Sequence, residues 1–271
     1  MSELSILILC GGSPRHFHVA NRLCQAGKPL AIVQEVGGED KLGKLVKLLK
    51  KPDLLWRKVW RWIRDRKRYV GGGEAKFYFG EATPLLDRPD LIVNVPHINH
   101  PDVVALADKL QPDVICVFGT SLIKGELLNR GRLGILNLHG GLSPQYRGAD
   151  CTFWALHNGE PDQVGCTIHY INAGIDTGNL IAHVSPEVKE GDDELTLFWR
   201  AVKDSAEVYA EVLDRLERGE KLGQPQTDKG RLYQVKDRLL CHEQALDAKL
   251  QAGLLKGLDL PRRITWFTQA A

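Results

Sequence analysis

Ser5-Ile-Leu-Ile-Leu-Cys10-Gly-Gly12 is the stretch on which the fold turns. An apolar run of this length, closed by two glycines, suits a strand buried on both faces of a parallel sheet. Residues from about His18 to Gln25 read as a helix, and Leu30 to Val33 as a second strand. Together they make a βαβ unit that opens a Rossmann-like domain. The pattern resumes downstream with strands at Leu91 to Val95, Val114 to Phe118, Gly134 to Leu138 and Thr167 to Ile171. A helix is expected from Pro101 to Leu110. A long amphipathic helix follows from Leu195 to Arg218, entered through Asp192-Asp193-Glu194 and stopped at Gly219. The expected class is α/β with a mostly parallel sheet. One domain spans 1–219, interrupted by a basic helical insertion at 40–73, and a short C-terminal extension covers 220–271.

Composition narrows the setting. The chain has 271 residues, 43% hydrophobic and 26% charged, with a net charge of +2. This is an ordinary globular balance. The opening residues lack a basic region followed by a long apolar stretch, and no run of about 18 apolar residues occurs. A cytoplasmic protein is expected. None of the six cysteines forms a C-x-x-C pair. Cys10 and Cys116 lie inside apolar runs and read as reduced core thiols. His16, His18, His97 and His100 have no accompanying ligand cluster, so no metal is expected.

Charge is concentrated in one place. Lys41 to Arg68 carries twelve lysines and arginines against Asp53 and Asp65, interleaved with Trp56, Trp60 and Trp62. This is basic amphipathic helix character, broken near Pro52 and ended by Gly71-Gly72-Gly73. A solvated helical face is one reading. An anionic membrane surface met through 41–68 is another, placing the protein at the inner face of a membrane. A nucleotide diphosphate sugar or nucleic acid would also fit.

The chemistry-bearing residues lie in two segments. The first is Gly134-Ile-Leu-Asn137-Leu-His139-Gly-Gly-Leu-Ser-Pro144-Gln-Tyr-Arg147-Gly148-Ala-Asp150, and the second Asn172-Ala-Gly174-Ile-Asp176-Thr177-Gly178. On a strand, Asn137 and His139 share a face, at the carboxyl end where ligands of open α/β sheets bind. An Asn–His–Asp triple is what acyl transfer without a covalent intermediate requires. Asn137 and protonated His139 would hydrogen-bond the oxyanion that forms when an amine attacks an acyl carbon. Asp176 would orient the imidazole and, directly or through a water, relay the amine's proton.

These segments resemble the folate-dependent formyltransferases. That family includes glycinamide ribonucleotide, methionyl-tRNA and nucleotide-sugar amine formyltransferases. NLHGGLSPQYRGAD, then GIDTG, matches the family's catalytic triple at Asn137, His139 and Asp176, and VFGTSLIKGELL (Val117 to Leu128) resembles the segment before it. The likeness covers roughly Asp113 to Gly219 well and the first strand loosely. It implies a Rossmann-like formyltransferase domain and 10-formyltetrahydrofolate as donor. It further implies a cofactor site at Phe118, Gly119, Thr120, Leu122, Ile123, Asn172, Gly174 and Ile175. Candidate acceptor-side residues are Gly11, Gly12, Ser13, Arg15, Gly141, Ser143, Tyr146 and Arg147. A homodimer is expected. Two features depart from the family pattern: Gly140-Gly141-Leu142-Ser143-Pro144 replaces the usual serine-leucine-leucine-proline, and residues 41–73 have no counterpart.

The triple does not name the acceptor. About fifty residues follow the long helix, short for the β-barrel domain that goes with methionyl-tRNA. Gly11-Gly12-Ser13-Pro14-Arg15 matches the glycinamide ribonucleotide loop poorly; it reads equally as a phosphate cradle or a plain turn. The preferred acceptor is a small-molecule amine, an amino sugar that is nucleotide- or lipid-linked. Polysaccharide-associated family members are the closest in character. A non-catalytic folate- or sugar-binding relative is the alternative of another class. A dehydrogenase would need a dinucleotide fingerprint that is missing here.

Overall fold

The computed structural model describes residues 4–37, 48–69 and 71–269. Among these, the strands β1 (Ser5–Cys10), β2 (Lys28–Glu35), β3 (Ile92–Val95), β4 (Val114–Phe118) and β5 (Ile135–His139) lie parallel, in the order β3-β2-β1-β4-β5. The two sides of β1 carry Ile8 and Leu9 into different cores, both fully buried, which explains the unbroken apolar run. The strand order reverses at β1, so the carboxyl ends of β1 and β4 flank the crevice where such sheets bind ligands.

Beyond β5 the sheet turns antiparallel. A short β6 (Tyr146–Gly148) stands outside it. β7 (Cys166–Tyr170) then pairs antiparallel with β5, and β8 (Leu180–Ser185) with β7. β9 (Val188–Lys189) follows, then β10 (Arg231–Tyr233), which pairs with β6. β11 (Asp259–Leu260) pairs with β9, and β12 (Arg263–Trp266) adds an eighth strand beside β8. The sheet is thus mostly parallel. β8 and β12 went unread because the first hides among loop signals and the second depends on a distant partner.

Helix α1 (Pro14–Ala26) begins four residues earlier than its apolar periodicity indicated, because proline suits a first helical turn and Ser13 precedes it. α2 (Pro52–Tyr69) starts at the proline that the sequence marks as a break. α3 (Gly73–Phe79) was not foreseen, since the glycines at 71–73 read only as an end. α4 (Pro101–Leu110), α5 (Cys151–His157), α6 (Glu194–Glu217) and α7 (Leu240–Gln251) follow. α6 lies along α1 across one face of the sheet, and the buried Tyr209 hydroxyl donates to Leu136 O at 2.8 Å while accepting from Val117 N at 3.1 Å. That bridge ties β4 to β5, the strand that delivers Asn137 and His139. α7 packs on α2 and α5.

Candidate active site

β5 ends with Asn137 and His139 on one side, as strand alternation requires. Asp176 arrives from the loop after β7, at φ 50°, a left-handed conformation that aspartate tolerates. His139 Nδ1 lies 3.4 Å from Asp176 Oδ2, and Gly148 N–H donates to the same oxygen at 2.8 Å. A third side chain completes the group. His169, directly opposite Asn137 in the β5–β7 register, places Nε2 3.2 Å from Asn137 Nδ2 and 3.5 Å from Asp176 Oδ1. Its Nδ1–H donates to Tyr170 O at 2.7 Å. The sequence reading did not name His169. The signal was there: it is the one titratable side chain at the centre of an alternating strand paired with β5.

The loop carrying Asp176 is held from several sides. Asn172 Oδ1 accepts from Gly174 N and Thr177 Oγ1. Arg147 Nη1 donates to Ile175 O at 3.3 Å. Gln226 Nε2 donates to the carbonyls of Asp176 and Gly178, each at 2.8 Å. Gln226 lies in a segment that had read only as polar and turn-rich.

Electrostatics set the resting state. Burial pushes the Asp176 carboxyl up, but His139 and His169 outweigh it and hold the pKa at about 2. Burial lowers the His139 pKa below its ordinary value; Asp176 pulls the other way and loses. Burial thus favours the neutral imidazole at rest. Its Nε2 contacts Tyr146 O at 3.0 Å, so both ring nitrogens face oxygens. Cys151 Sγ sits 3.6 Å from His139 Nε2, yet burial raises that thiol well above its ordinary pKa, which keeps it a thiol and a poor nucleophile.

Two cavities meet here. One, of about 550 Å³, contains Asn137, His139, His169 and Asp176 in its wall. Phe118, Gly119, Thr120, Leu122, Ile123, Gly174 and Ile175 line it as well; Asn172 does not and instead staples its own loop. The remaining wall comes from Leu232, Tyr233, Gln234 and Val235 of the C-terminal segment. Tyr233 is fixed there by stacking on Trp154 at 4.5 Å. The second cavity, of about 540 Å³, holds Arg15, Arg61, Glu74, Asp150 and Glu194. Both share Phe118, Gly119, Gly140 and Gly148. A side chain at Gly148 would strike Tyr233 O and one at Gly119 would strike the His16 ring, and both have positive φ, so the junction accepts only glycine.

The other acceptor-side candidates are placed elsewhere. Gly11 is packed against His16, and Ser13 N–H donates to His16 Nδ1 at 3.1 Å, so this turn does not offer that amide to a phosphate. Of that group, Arg15 alone borders the second cavity, paired with Glu74 at 2.7 Å. Gly141 and Ser143 are buried beneath β5, where Thr167 Oγ1 bonds both backbones. Tyr146 is buried with its hydroxyl on Glu160, and Arg147 turns to the Asp176 loop. Among the described residues there is no group of three or more histidines, cysteines or acids placed to hold a metal.

In helix α2 three of the arginines do not form the solvated face that is one reading of this segment. Arg57, Arg61 and Arg64 recur at helical spacing and face inward. Arg57 donates to Val235 O and Arg238 O. Arg64 reaches Glu243 at 3.0 Å and Asp247 at 3.3 Å, and Arg61 reaches Glu243 at 3.6 Å. Arg238, fully buried, bonds Glu194, Glu243 and Asp150 at 2.7–2.9 Å and lies over the Phe153 ring. These inward arginines are neutralised by the chain's own carboxylates. Lys41, Lys44 and Lys47 lie outside the described residues.

Comparison with known proteins matches this arrangement to a family. A model of the formyl transferase family covers residues 66–213. Methionyl-tRNA formyltransferase of Caldanaerobacter subterraneus subsp. tengcongensis is 33% identical over 136 residues, 50% of this chain and 44% of that protein. The enzyme of the same name from Citrifermentans bemidjiense is 39% identical over 121 residues, 44% of this chain and 37% of that protein. The chain spans half or less of the length of the curated relatives it matches. A solved sugar N-formyltransferase from a Shewanella species shares the fold, with TM-score 0.55 and 18% identity over 86% of this chain and 78% of that one. With more than half of its 271 residues matched by the family model, the chain belongs to the formyl transferase family.

Proposed function

We propose that this chain moves a formyl group from 10-formyltetrahydrofolate to the primary amine of an amino sugar, nucleotide- or lipid-linked. The observation that carries the reading is the position of Asn137, His139 and Asp176 in one cavity that opens onto a second through a glycine junction. The first cavity, walled by Phe118, Leu122, Ile123, Ile171 and Ile175, suits the flat heteroaromatic end of the folate. The second, where Arg15 and Arg61 are paired with carboxylates and Glu74, Asp150 and Glu194 line the wall, suits a polar amine.

In this scheme the amine nitrogen attacks the formyl carbon and a tetrahedral oxyanion forms. Asn137 Nδ2–H donates to that oxygen. His139, neutral, turns the N–H that faces Tyr146 O to the oxygen as a second hydrogen bond while the charge grows, with no net change in its protonation. Asp176, anionic at rest, accepts the amine's proton and passes it, directly or through a water, to the leaving folate nitrogen as the carbon–nitrogen bond breaks. His169 Nε2, 3.2 Å from Asn137 Nδ2, fixes the position of that amide.

Methionyl-tRNA is the second reading, favoured by identity to the curated relatives. It is weakened because the arginines of α2 nearest the site are already paired with Glu194, Glu243 and Asp247. Incubation of the protein with 10-formyltetrahydrofolate and a panel of amino-sugar nucleotides, methionyl-tRNA or glycinamide ribonucleotide separates the readings. Tetrahydrofolate release with a sugar amine supports the proposal. Release with only tRNA or glycinamide ribonucleotide would sink it.

A further inference from the structure

The inner face of α2 is arginine, and Trp56, Trp60, Trp62 and Ile63 face outward. Trp56, Trp60 and Ile63 recur at i, i+4 and i+7 and form one stripe. Trp56 is 62% exposed, Ile63 57% and Trp60 37%. The next stripe reads Lys58, Trp62 and Arg66, all exposed, with Trp62 at 51%. Leu49, 60% exposed, and the exposed Lys50 and Lys51 precede the helix. An amphipathic helix normally buries its apolar stripe and presents its cations to water. Here the ion pairs to Glu243 and Asp247 hold the helix the other way round.

An outward stripe of this kind needs a cover, and charge decides which. Within 48–66 the exposed ionic side chains are Lys50, Lys51, Lys58 and Arg66 against Asp53, since Asp65 is buried. A second copy of the chain would bring the same cations face to face, an arrangement that electrostatics opposes. A nucleic acid would draw on arginines, and Arg57, Arg61 and Arg64 are turned away. Tryptophan and isoleucine flanked by cations match the interface of an anionic bilayer, where rings and aliphatic groups enter the headgroup boundary and the cations meet phosphates. No helix among the described residues is long and apolar enough to cross a membrane.

We propose that the outer face of α2 docks the protein on an anionic lipid surface as a peripheral, in-plane helix. This does not depend on which amine is formylated. The inner face of the same helix supplies Arg61 to the second cavity, so docking would hold that cavity behind the helix, about 10 Å from the lipid surface.

The test uses the full chain and vesicles of mixed phosphatidylglycerol and phosphatidylcholine, with phosphatidylcholine vesicles alone as control. Co-sedimentation should favour the anionic vesicles by at least about tenfold, weaken with salt, and blue-shift tryptophan emission. The double variant Trp56→Gln, Ile63→Gln should lose at least about tenfold in partitioning. A triple variant, Lys50→Glu, Lys51→Glu and Lys58→Glu, should abolish the preference for phosphatidylglycerol. Both sets change exposed side chains, and unaltered thermal melting would show that the fold is retained. Equal partitioning to both vesicle types would overturn the proposal. So would an unchanged double variant, a concentration-dependent dimer that the double variant abolishes, or tight binding of single-stranded RNA with no binding to vesicles.

Discussion

The Asp176 site and helix α2 are both dense in polar groups, and the chain organises them in opposite ways. In the site, Asn137, His139, His169 and Asp176 converge on open space, with contacts of 3.2–3.5 Å between side chains. Around α2, Arg238, Glu194 and Glu243 converge on one another at 2.7–2.8 Å, and only Glu194 of the three borders a cavity. The looser set can exchange partners with a substrate. The tighter set is a structural clasp that joins residues 52–69 and 238–247 to the start of α6. Polar density alone therefore does not mark a site; polar groups left loosely paired beside open space do.

Removing a group from the looser set should show this most sharply. Asp176→Asn and His139→Ala should each lower kcat/KM for formyl transfer by about 10²–10⁴-fold. Folding should be little changed, as followed by tetrahydrofolate release alongside a thermal melt. If His139→Ala left the rate unaltered, the role given to this cavity would fail.

The tighter set predicts the reverse pattern. Arg238→Met leaves three carboxylates facing one another in a buried place, and should destabilise the fold by about 3–5 kcal/mol in urea titration. Donor hydrolysis by the fraction still folded should persist, because Arg238 borders neither cavity.

The two regions also differ in how far the sequence could reveal them. Asn137 and His139 followed from the two-residue period of one strand, a local property, and Asp176 from a glycine-bounded loop. His169 needed the β5–β7 register, which joins residues 32 apart. The facing of α2 needed more. Its composition specifies an amphipathic helix, and ordinary periodicity would turn the apolar side inward. The carboxylates that invert it, Glu194, Glu243 and Asp247, lie 130 to 183 residues away along the chain. The same distance effect hid β12 and the cavity wall at Leu232 to Val235. The glycine turn at Gly11-Gly12-Ser13 erred differently: a histidine three residues on takes the Ser13 amide that a phosphate would have used.

That histidine gives a smaller effect between the two extremes. Burial lowers the His16 pKa from 6.5 to about 3 and that of His183 from 6.5 to about 4. The unfolded chain therefore binds more protons than the folded one as pH falls below 6.5. Stability is full above 6.5 and declines towards the folded values. Urea midpoints at pH 7 and 4.5 should differ, and His16→Gln, which keeps an acceptor for Ser13 N–H, should remove about 1–2 kcal/mol of that difference. An unchanged pH slope in the variant would mean that His16 is not held neutral.

The smallest expected effect is the most informative about α2. Trp56→Gln with Ile63→Gln replaces two large apolar side chains in one helix, which in a packed core would cost several kcal/mol. Here both are more than half exposed. With no lipid present the urea stability should move by no more than about 0.5 kcal/mol. Trp60→Gln should do slightly more, since Trp60 Nε1 donates to Asp247 at 3.2 Å. A loss of 2 kcal/mol or more, on the order expected of core truncation, from the double variant would mean that the stripe is already covered by the chain itself. The contrast between an inward clasp and an outward apolar face would then collapse. A near-zero effect leaves the stripe with no folding role, and an apolar face beside four exposed cations then points to a cover outside the chain.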